Sequence, residues 1–320
     1  MLQRRTLIAA AALALAAGGA LAQPWPAKPV TMIIPFPPGG TLDAVGRLLA
    51  QKLGEQLGQT FIVENRAGGA GTIGSIAVTK AQPDGYTLLF NASTLTTTPM
   101  AMKSVPYDAV KDFAPIALVA KAPLAIALNN NVPANDVKGL IAYAKANPGK
   151  LTFAIGSTAS AGHLSTELLK RAGNIDYVIV PYKGSSPAYQ DLVGGTIDGF
   201  IDPILGSASF AKAGKLKVIA VTSKSRLPNM PEVPTVAETV PGYEFYSWYG
   251  LWGPAGLPKD IATKLNSEVG KALASAEMRE RLLPQGLLLT PGSIEDFQKF
   301  QREDMAHSAK IIAEGKIRAE

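Results

Sequence analysis

A short apolar run at residues 30–34 passes straight into Pro35-Phe36-Pro37-Pro38-Gly39-Gly40-Thr41-Leu42-Asp43, and that turn opens an amphipathic stretch. The run reads as a buried strand. Val45, Leu48, Leu49, Leu53 and Leu57 recur at helical spacing, and Gly58 supplies a left-handed stop. A strand feeding a helix through a tight turn is the unit from which α/β folds are built. The two glycines leave backbone N–H groups open where the helix dipole is positive, so the turn can seat an anion.

The same alternation runs along most of the chain. Strands are expected at 30–34, 61–63, 87–90, 116–119, 124–128, 151–155, 178–180, 197–201 and 216–221. Helices are expected at 43–57, 73–80, 137–146, 164–172, 187–193 and 210–213. This order predicts an α/β fold with largely parallel sheets. Polar, proline-bearing breaks fall at 129–133 and 223–234. Beyond Pro254 the pattern is helical: Ile261, Leu265, Val269 and Leu273 form one stripe, and Ser293-Ile294-Glu295-Asp296 reads as a capping box that opens a long last helix. Two lobes are therefore expected, a discontinuous one over 23–122 plus 224–320 and a second, inserted one over 123–223.

Residues 1–22 read as a secretory leader, with Arg4 and Arg5 as its charged start, an apolar stretch at 7–17 and an Ala20-Leu21-Ala22 cleavage site. The apolar stretch is shorter than the ~20 residues that span a bilayer. Cleavage after Ala22 would release a soluble chain starting at Gln23. There is no cysteine, which excludes disulfides, thiolate catalysis, thiolate metal sites and a lipidated N-terminal cysteine. An exported chain without a lipid anchor stays near its cell when an outer membrane confines it, so the expected location is a Gram-negative periplasm. The net charge of +6 is scattered, with no basic run interleaved with aromatics, and no nucleic-acid partner is expected.

Three strand-to-helix turns carry the same chemistry. The first is the turn ending at Asp43. The second is Gly156-Ser157-Thr158-Ala159-Ser160-Ala161-Gly162-His163. The third is Tyr182-Lys183-Gly184-Ser185-Ser186-Pro187, with Ser186 suited to an N-cap and Pro187 to a first helical position. Ligands of open α/β sheets bind outside the carboxyl ends of strands, and closure of two lobes would trap an anion between these turns. For any one turn, the hydroxyls serve equally well as plain helix caps. Only Lys183 is basic, so amides, hydroxyls and water rather than a guanidinium fork would meet the ligand's charge.

Gly69-Ala70-Gly71-Thr72-Ile73-Gly74 matches a dinucleotide fingerprint in form, but the acidic residue wanted ~20 positions on is missing, and close packing is the better reading. Enzyme signatures are sparse: there is no H-E-x-x-H, no G-x-S-x-G, and the two histidines are His163 and His307. His163 either touches a ligand or, more commonly for such a position, holds its own loop. Asp202, after the strand at 197–201, either faces the cleft or bonds loop amides. No catalytic residue, metal or cofactor is expected.

Several segments together resemble the Bug family, the substrate-binding proteins of tripartite tricarboxylate transporters. They are Trp25-Pro26-Ala27-Lys28-Pro29-Val30, Pro35-Phe36-Pro37-Pro38-Gly39-Gly40, Val63-Glu64-Asn65-Arg66, Asp84-Gly85-Tyr86-Thr87-Leu88-Leu89, Tyr107-Asp108-Ala109-Val110-Lys111-Asp112-Phe113, Val180-Pro181-Tyr182-Lys183-Gly184-Ser185 and Pro231-Glu232-Val233-Pro234-Thr235-Val236. The resemblance implies a two-lobed fold of the type II periplasmic-binding-protein kind. It also implies a monomeric receptor that binds a small organic carboxylate between its lobes and hands it to a large and a small membrane subunit. By position it implies ligand contacts from Phe36, Pro38, Gly39, Gly40, Thr41 and Asp43, from Ser93, from Ser157, Thr158, Ser160 and His163, from Lys183, Gly184 and Ser185, and from Asp202. The Thr-rich stretch 91–98 and the run Phe200-Ile201-Asp202-Pro203-Ile204 depart from the family's commoner pattern where the far half of a ligand would rest. Which carboxylate is bound therefore stays open, although Asp202 favours one with an ammonium or hydroxyl opposite it. A ligand sensor for a signalling partner and an exported serine hydrolase are the alternatives.

Overall fold

The computed structural model describes residues 25–318. The expected leader and its cleavage site lie outside the described residues. Among the described residues no helix is long and apolar enough to cross a membrane.

The chain begins with β1 (Val30–Ile34), α1 (Thr41–Leu57), β2 (Phe61–Asn65), α2 (Thr72–Thr79), β3 (Thr87–Ala92), α3 (Thr94–Ala101) and the 16-residue β4 (Phe113–Leu128). It continues through α4 (Val137–Ala146), β5 (Thr152–Ile155), α5 (Ala161–Ala172), β6 (Val178–Pro181), α6 (Ser185–Gly194), β7 (Gly199–Pro203), α7 (Ile204–Lys212) and β8 (Lys217–Val221). It returns through β9 (Tyr246–Pro254), α8 (Lys259–Ala274), α9 (Ala276–Leu282), β10 (Leu288–Leu289) and α10 (Ile294–Glu314). The strand order is β2-β1-β3-β9-β4-β7-β5-β6, with β8 and β10 also pairing β4.

Two parallel groups, β2-β1-β3 and β6-β5-β7, are joined through antiparallel strands. β4 pairs β9 from Phe113 to Pro123, then pairs β7 and β8 over its last residues. The pattern predicts two strands here, at 116–119 and 124–128, and the structure shows one. Its pairing with β9 ends at Pro123 and its pairing with β7 begins at Leu124. A proline has no N–H to give a ladder, so it fits at this handover.

Three elements are absent from the sequence reading: α3, β9 and the two-residue β10, which pairs β4 where only helix was expected. α3 is built on threonines, poor helix formers, yet their hydroxyls are satisfied. Thr96 donates to the Ser93 carbonyl at 2.8 Å, and Thr97 donates to the Ala159 carbonyl at 2.7 Å with the Ser93 carbonyl 3.1 Å away. β9 lies between β3 and β4 with Trp248, Tyr249, Leu251 and Trp252 all buried, so no alternation betrays it.

The first core packs Met32, Ile34, Leu49, Leu88 and Phe90 against α8. The second gathers Ile126, Phe153, Leu164, Tyr177 and Ile201, and takes in Tyr243, Phe245, Ile311 and Ile312 from the returning chain. α10 opens with the expected capping box, Ser293 with Asp296. Its start sets Phe297 against Trp248 and Trp252, with ring centroids 6.1 and 5.1 Å away, while its end reaches the second core. Phe297 leaves no room over β9. A Cβ on Gly250 would collide with its ring and stand 2.7 Å from Trp252. Gly250→Ala is therefore expected to cost about 1–3 kcal/mol through overpacking, read as a lower urea midpoint with an unchanged slope.

Candidate functional site

The loops that follow β1, β3, β5 and β6 meet the end of β7 in one gap, as expected for the carboxyl ends of parallel strands. They enclose an inner chamber of about 90 Å³. Its walls are Phe36, Pro37 and residues 40–43 after β1, Ala92 at the end of β3 and Thr94 beyond it, Gly156, Ser157 and residues 160–162 after β5, Gly184 and Ser185 after β6, Asp202 and Pro203 at the end of β7 itself, and Ser247 and Tyr249 on β9. An outer chamber of about 620 Å³ shares Phe36, Pro37, Gly156, Ser157 and Gly184, and adds residues 67–71, Ile73, Thr158 and residues 181–183. The halves touch across the gap. Ser186 donates to the Pro38 carbonyl at 3.2 Å, and Gly184, at a φ of +110°, leaves only 3.0 Å between a notional Cβ and Pro37.

The first turn is braced by Asp43. Its carboxylate accepts from Arg47 Nε at 3.1 and 3.0 Å, from Asn65 Nδ2 at 2.9 Å and from the Gly39 N–H at 3.1 Å. Asn65 also donates to the Phe36 carbonyl at 3.0 Å. Burial alone would raise the Asp43 pKa, but the donors from Arg47, Asn65 and Gly39 together hold it below the ordinary carboxylate range. Gly39 sits at a φ of +94°, which favours glycine. Gly40 then caps α1 without a side chain, so the first-turn N–H groups of α1 have no side-chain partner.

The second turn is held by His163. Its Nδ1 accepts the Ala159 N–H at 3.1 Å, and its own N–H donates to Ser160 Oγ at 3.2 Å. Burial pushes the imidazole down to about 4, so the ring is neutral at pH 7. In the third turn Gly184 caps α6 without a side chain, and Ser185 Oγ donates to Asp202 Oδ1 at 3.0 Å. Tyr189 donates to Asp202 Oδ2 at 3.2 Å. Burial nevertheless pushes the Asp202 pKa up to about 7, against the pull of these two donors.

Of the residues expected at the site, the inner chamber gathers Phe36, Gly40, Thr41, Asp43, Ser157, Ser160, Gly184, Ser185 and Asp202. Thr158 and Lys183 line the outer chamber. Pro38, Gly39, Ser93 and His163 line neither. Pro38 and Gly39 face Ser186 of the other half, the Ser93 carbonyl closes the start of α3, and His163 holds its loop. The fingerprint-like run 69–74 combines packing with a wall of the outer chamber. A Cβ on Gly74 would stand 2.8 Å from Pro35 and 2.9 Å from the Arg66 carbonyl. Sequence reasoning missed Thr94, Ser247 and Tyr249. The last two share one face of β9 by the two-residue period of a strand, and the pairing of Tyr249 with Ala92 sets them at the end of β3.

A family model described as the tripartite tricarboxylate transporter family receptor matches residues 45–317. A relative from Pseudomonas sp. strain P51, called the UPF0065 protein in the tcbD-tcbE intergenic region, is 36% identical over 321 residues, spanning 99% of this chain and 96% of its own. Among solved structures, R. palustris Rpa4515 with adipate superposes at a TM-score of 0.90 with 35% identity, over 92% of this chain and 99% of that one. The periplasmic binding protein BugD superposes at 0.88 with 33% identity, over 92% and 100% of the two chains. This chain belongs to the tripartite tricarboxylate transporter receptor family.

Proposed function

We propose that this protein is a periplasmic solute-binding protein that closes two lobes, 23–122 plus 224–320 and 123–223, over a small organic carboxylate. It delivers that cargo to the large and small membrane subunits of a tripartite tricarboxylate-type transporter. It acts as a monomer, exported and cleaved after Ala22. The observation that carries this reading is the inner chamber, which is walled by the uncapped starts of α1 and α6 and by serine hydroxyls from both halves. Such a chamber binds an anion through amides and hydroxyls that need no buried cation. Family membership and the adipate held by one relative support the carboxylate.

Binding without turnover is the better reading of the same walls. A serine nucleophile needs a base within hydrogen-bond reach. The Nδ1 of His163 is taken by the Ala159 N–H, so the imidazole is not free to serve a chamber serine as base, and the matching family model is a receptor.

Thermal unfolding of residues 23–320 against aliphatic, amino and aromatic carboxylates tests the reading. A ligand at one hundred times its Kd is expected to stabilise the fold by about 2.7 kcal/mol, with its amide inactive. No shift with any acid would sink it. Gly40→Val is a sharper probe of the seat. A Cβ there meets nothing within 4 Å and stands at the chamber wall. The variant is expected to unfold near the wild-type temperature while losing at least about tenfold in affinity, roughly 1.4 kcal/mol. Unchanged affinity would place the carboxylate elsewhere. Export in a Gram-negative host is expected to yield a mature N-terminus at Gln23, read by N-terminal sequencing.

A further inference from the structure

The inner chamber holds two acids and no base among its walls. Asp43 is taken up by Arg47, Asn65 and Gly39, which leaves Asp202 as the charged group available to an occupant. Each Asp202 oxygen accepts one hydrogen, from Ser185 or from Tyr189, and keeps capacity for another. Beside it the Tyr249 hydroxyl stands among Ser247, Thr41 and Asp202. The Tyr249 and Thr41 hydroxyls, on residues only 1% and 4% exposed, make no close hydrogen bond, with only each other and Ser247 near enough to lean on. Two hydroxyls so loosely paired over one small cavity gain a full hydrogen bond when an occupant reaches them. Lys183, the one base of the three turns, lines the outer chamber instead.

We propose that Asp202, Tyr249 and Thr41 form a subsite that selects the far end of the ligand, and that this end is a hydrogen-bond donor. The ligand is then a short monocarboxylate carrying a hydroxyl or an ammonium, and a dicarboxylate of equal length is refused while Asp202 is ionised. The inference rests on the carboxylate-receptor reading above. The walls supply neutral donors for one carboxylate and no cation for a second, which would meet Asp202 as a like charge in a desolvated space.

The groups facing Asp202 are few. α6 contributes Ser185 and Tyr189, β9 contributes Tyr249, α7 comes near with Gly206, and the paired residue on β4 is Ala125. His163, on α5, is neutral and turned to Ala159. Asp202 therefore titrates near pH 7 without a cation beside it. It is ionised at pH 8 and largely protonated at pH 6, where it can donate to a carboxylate.

The test is calorimetric titration of residues 23–320 at pH 8 and pH 6 with butyrate, 4-hydroxybutyrate, 4-aminobutyrate and succinate, and with the matching three-carbon set. At pH 8 the hydroxy or the amino acid is expected to bind at least about tenfold tighter than the plain alkanoate, and whichever leads identifies the donor. Succinate is expected to bind most weakly at pH 8 and to gain up to about tenfold per pH unit on the way down. Asp202→Asn is expected to abolish both the donor preference and the pH dependence, and to raise the melting temperature of the free protein at pH 8. If that variant does not fold, the wild-type pH series decides alone. Tightest binding of succinate at pH 8, or an unchanged ranking in the variant, overturns the subsite while leaving the receptor reading intact. Failure of every acid at both pH values overturns the receptor reading and the subsite with it.

Discussion

β4 is the strand on which both sheets depend. It leaves the β9 ladder at Pro123 and enters the β7 ladder at Leu124, so one continuous backbone carries both parallel groups. That continuity sets the carboxyl ends of β1 and β3 against those of β5, β6 and β7, and the chamber follows from it. The returning chain crosses at the same place. Thr222 Oγ1 accepts the Leu124 N–H at 2.8 Å and donates to the Phe245 carbonyl at 2.6 Å. The proposed opening of the two lobes would bend the chain at these two crossings, the few-residue hinge that domain closure commonly uses. α10 lies across both halves, its start on Trp248 and Trp252 and its end in the second core.

With the loops fixed there, the chamber's electrostatics follow from helix starts. α1, α3, α5 and α6 begin at its walls with Thr41, Thr94, Ala161 and Ser185, and Pro203 caps α7. Each start carries roughly half a positive charge that fades within a turn. A buried guanidinium would add a desolvation penalty of several kcal/mol, and the chamber avoids it. Asp43 and Asp202 share this setting but not its outcome. Asp43 gains Arg47, Asn65 and an amide, and their donors overcome its burial. Asp202 gains only two hydroxyls, and burial wins.

The α/β class and the turns were legible because each rests on a local signal. α4 runs over 137–146 as its pattern predicts, and the glycines of the first turn mark the start of α1. The parallel groups were legible from alternation, whereas the antiparallel strands that join them were not. β9 is buried on both faces and carries no period, and α3 stands on hydroxyl bonds to carbonyls, one of them in the other half. Tyr249, Ser247 and Thr94 lie on just these two elements. The turns that line one side of the chamber could thus be read from sequence, while the opposite wall could not.

Asp202 makes the division of labour in the chamber a matter of energy as well as place. Its pKa lies near 7 in the fold against 3.8 for a free carboxyl, because burial penalises its charge. With the folded value raised, its contribution is fully present below about pH 4 and is lost as pH rises through 7. A gap of about three units corresponds to about 4 kcal/mol lost above that range. An apolar residue of similar size would avoid that loss, as pairing Asp202 with an arginine would reduce it. The fold does neither. The charge rests on two hydroxyl donors alone and gains a further partner when a donor enters the chamber. In the proposed receptor the amides of the helix starts would take any carboxylate of suitable size, so discrimination would fall to this wall.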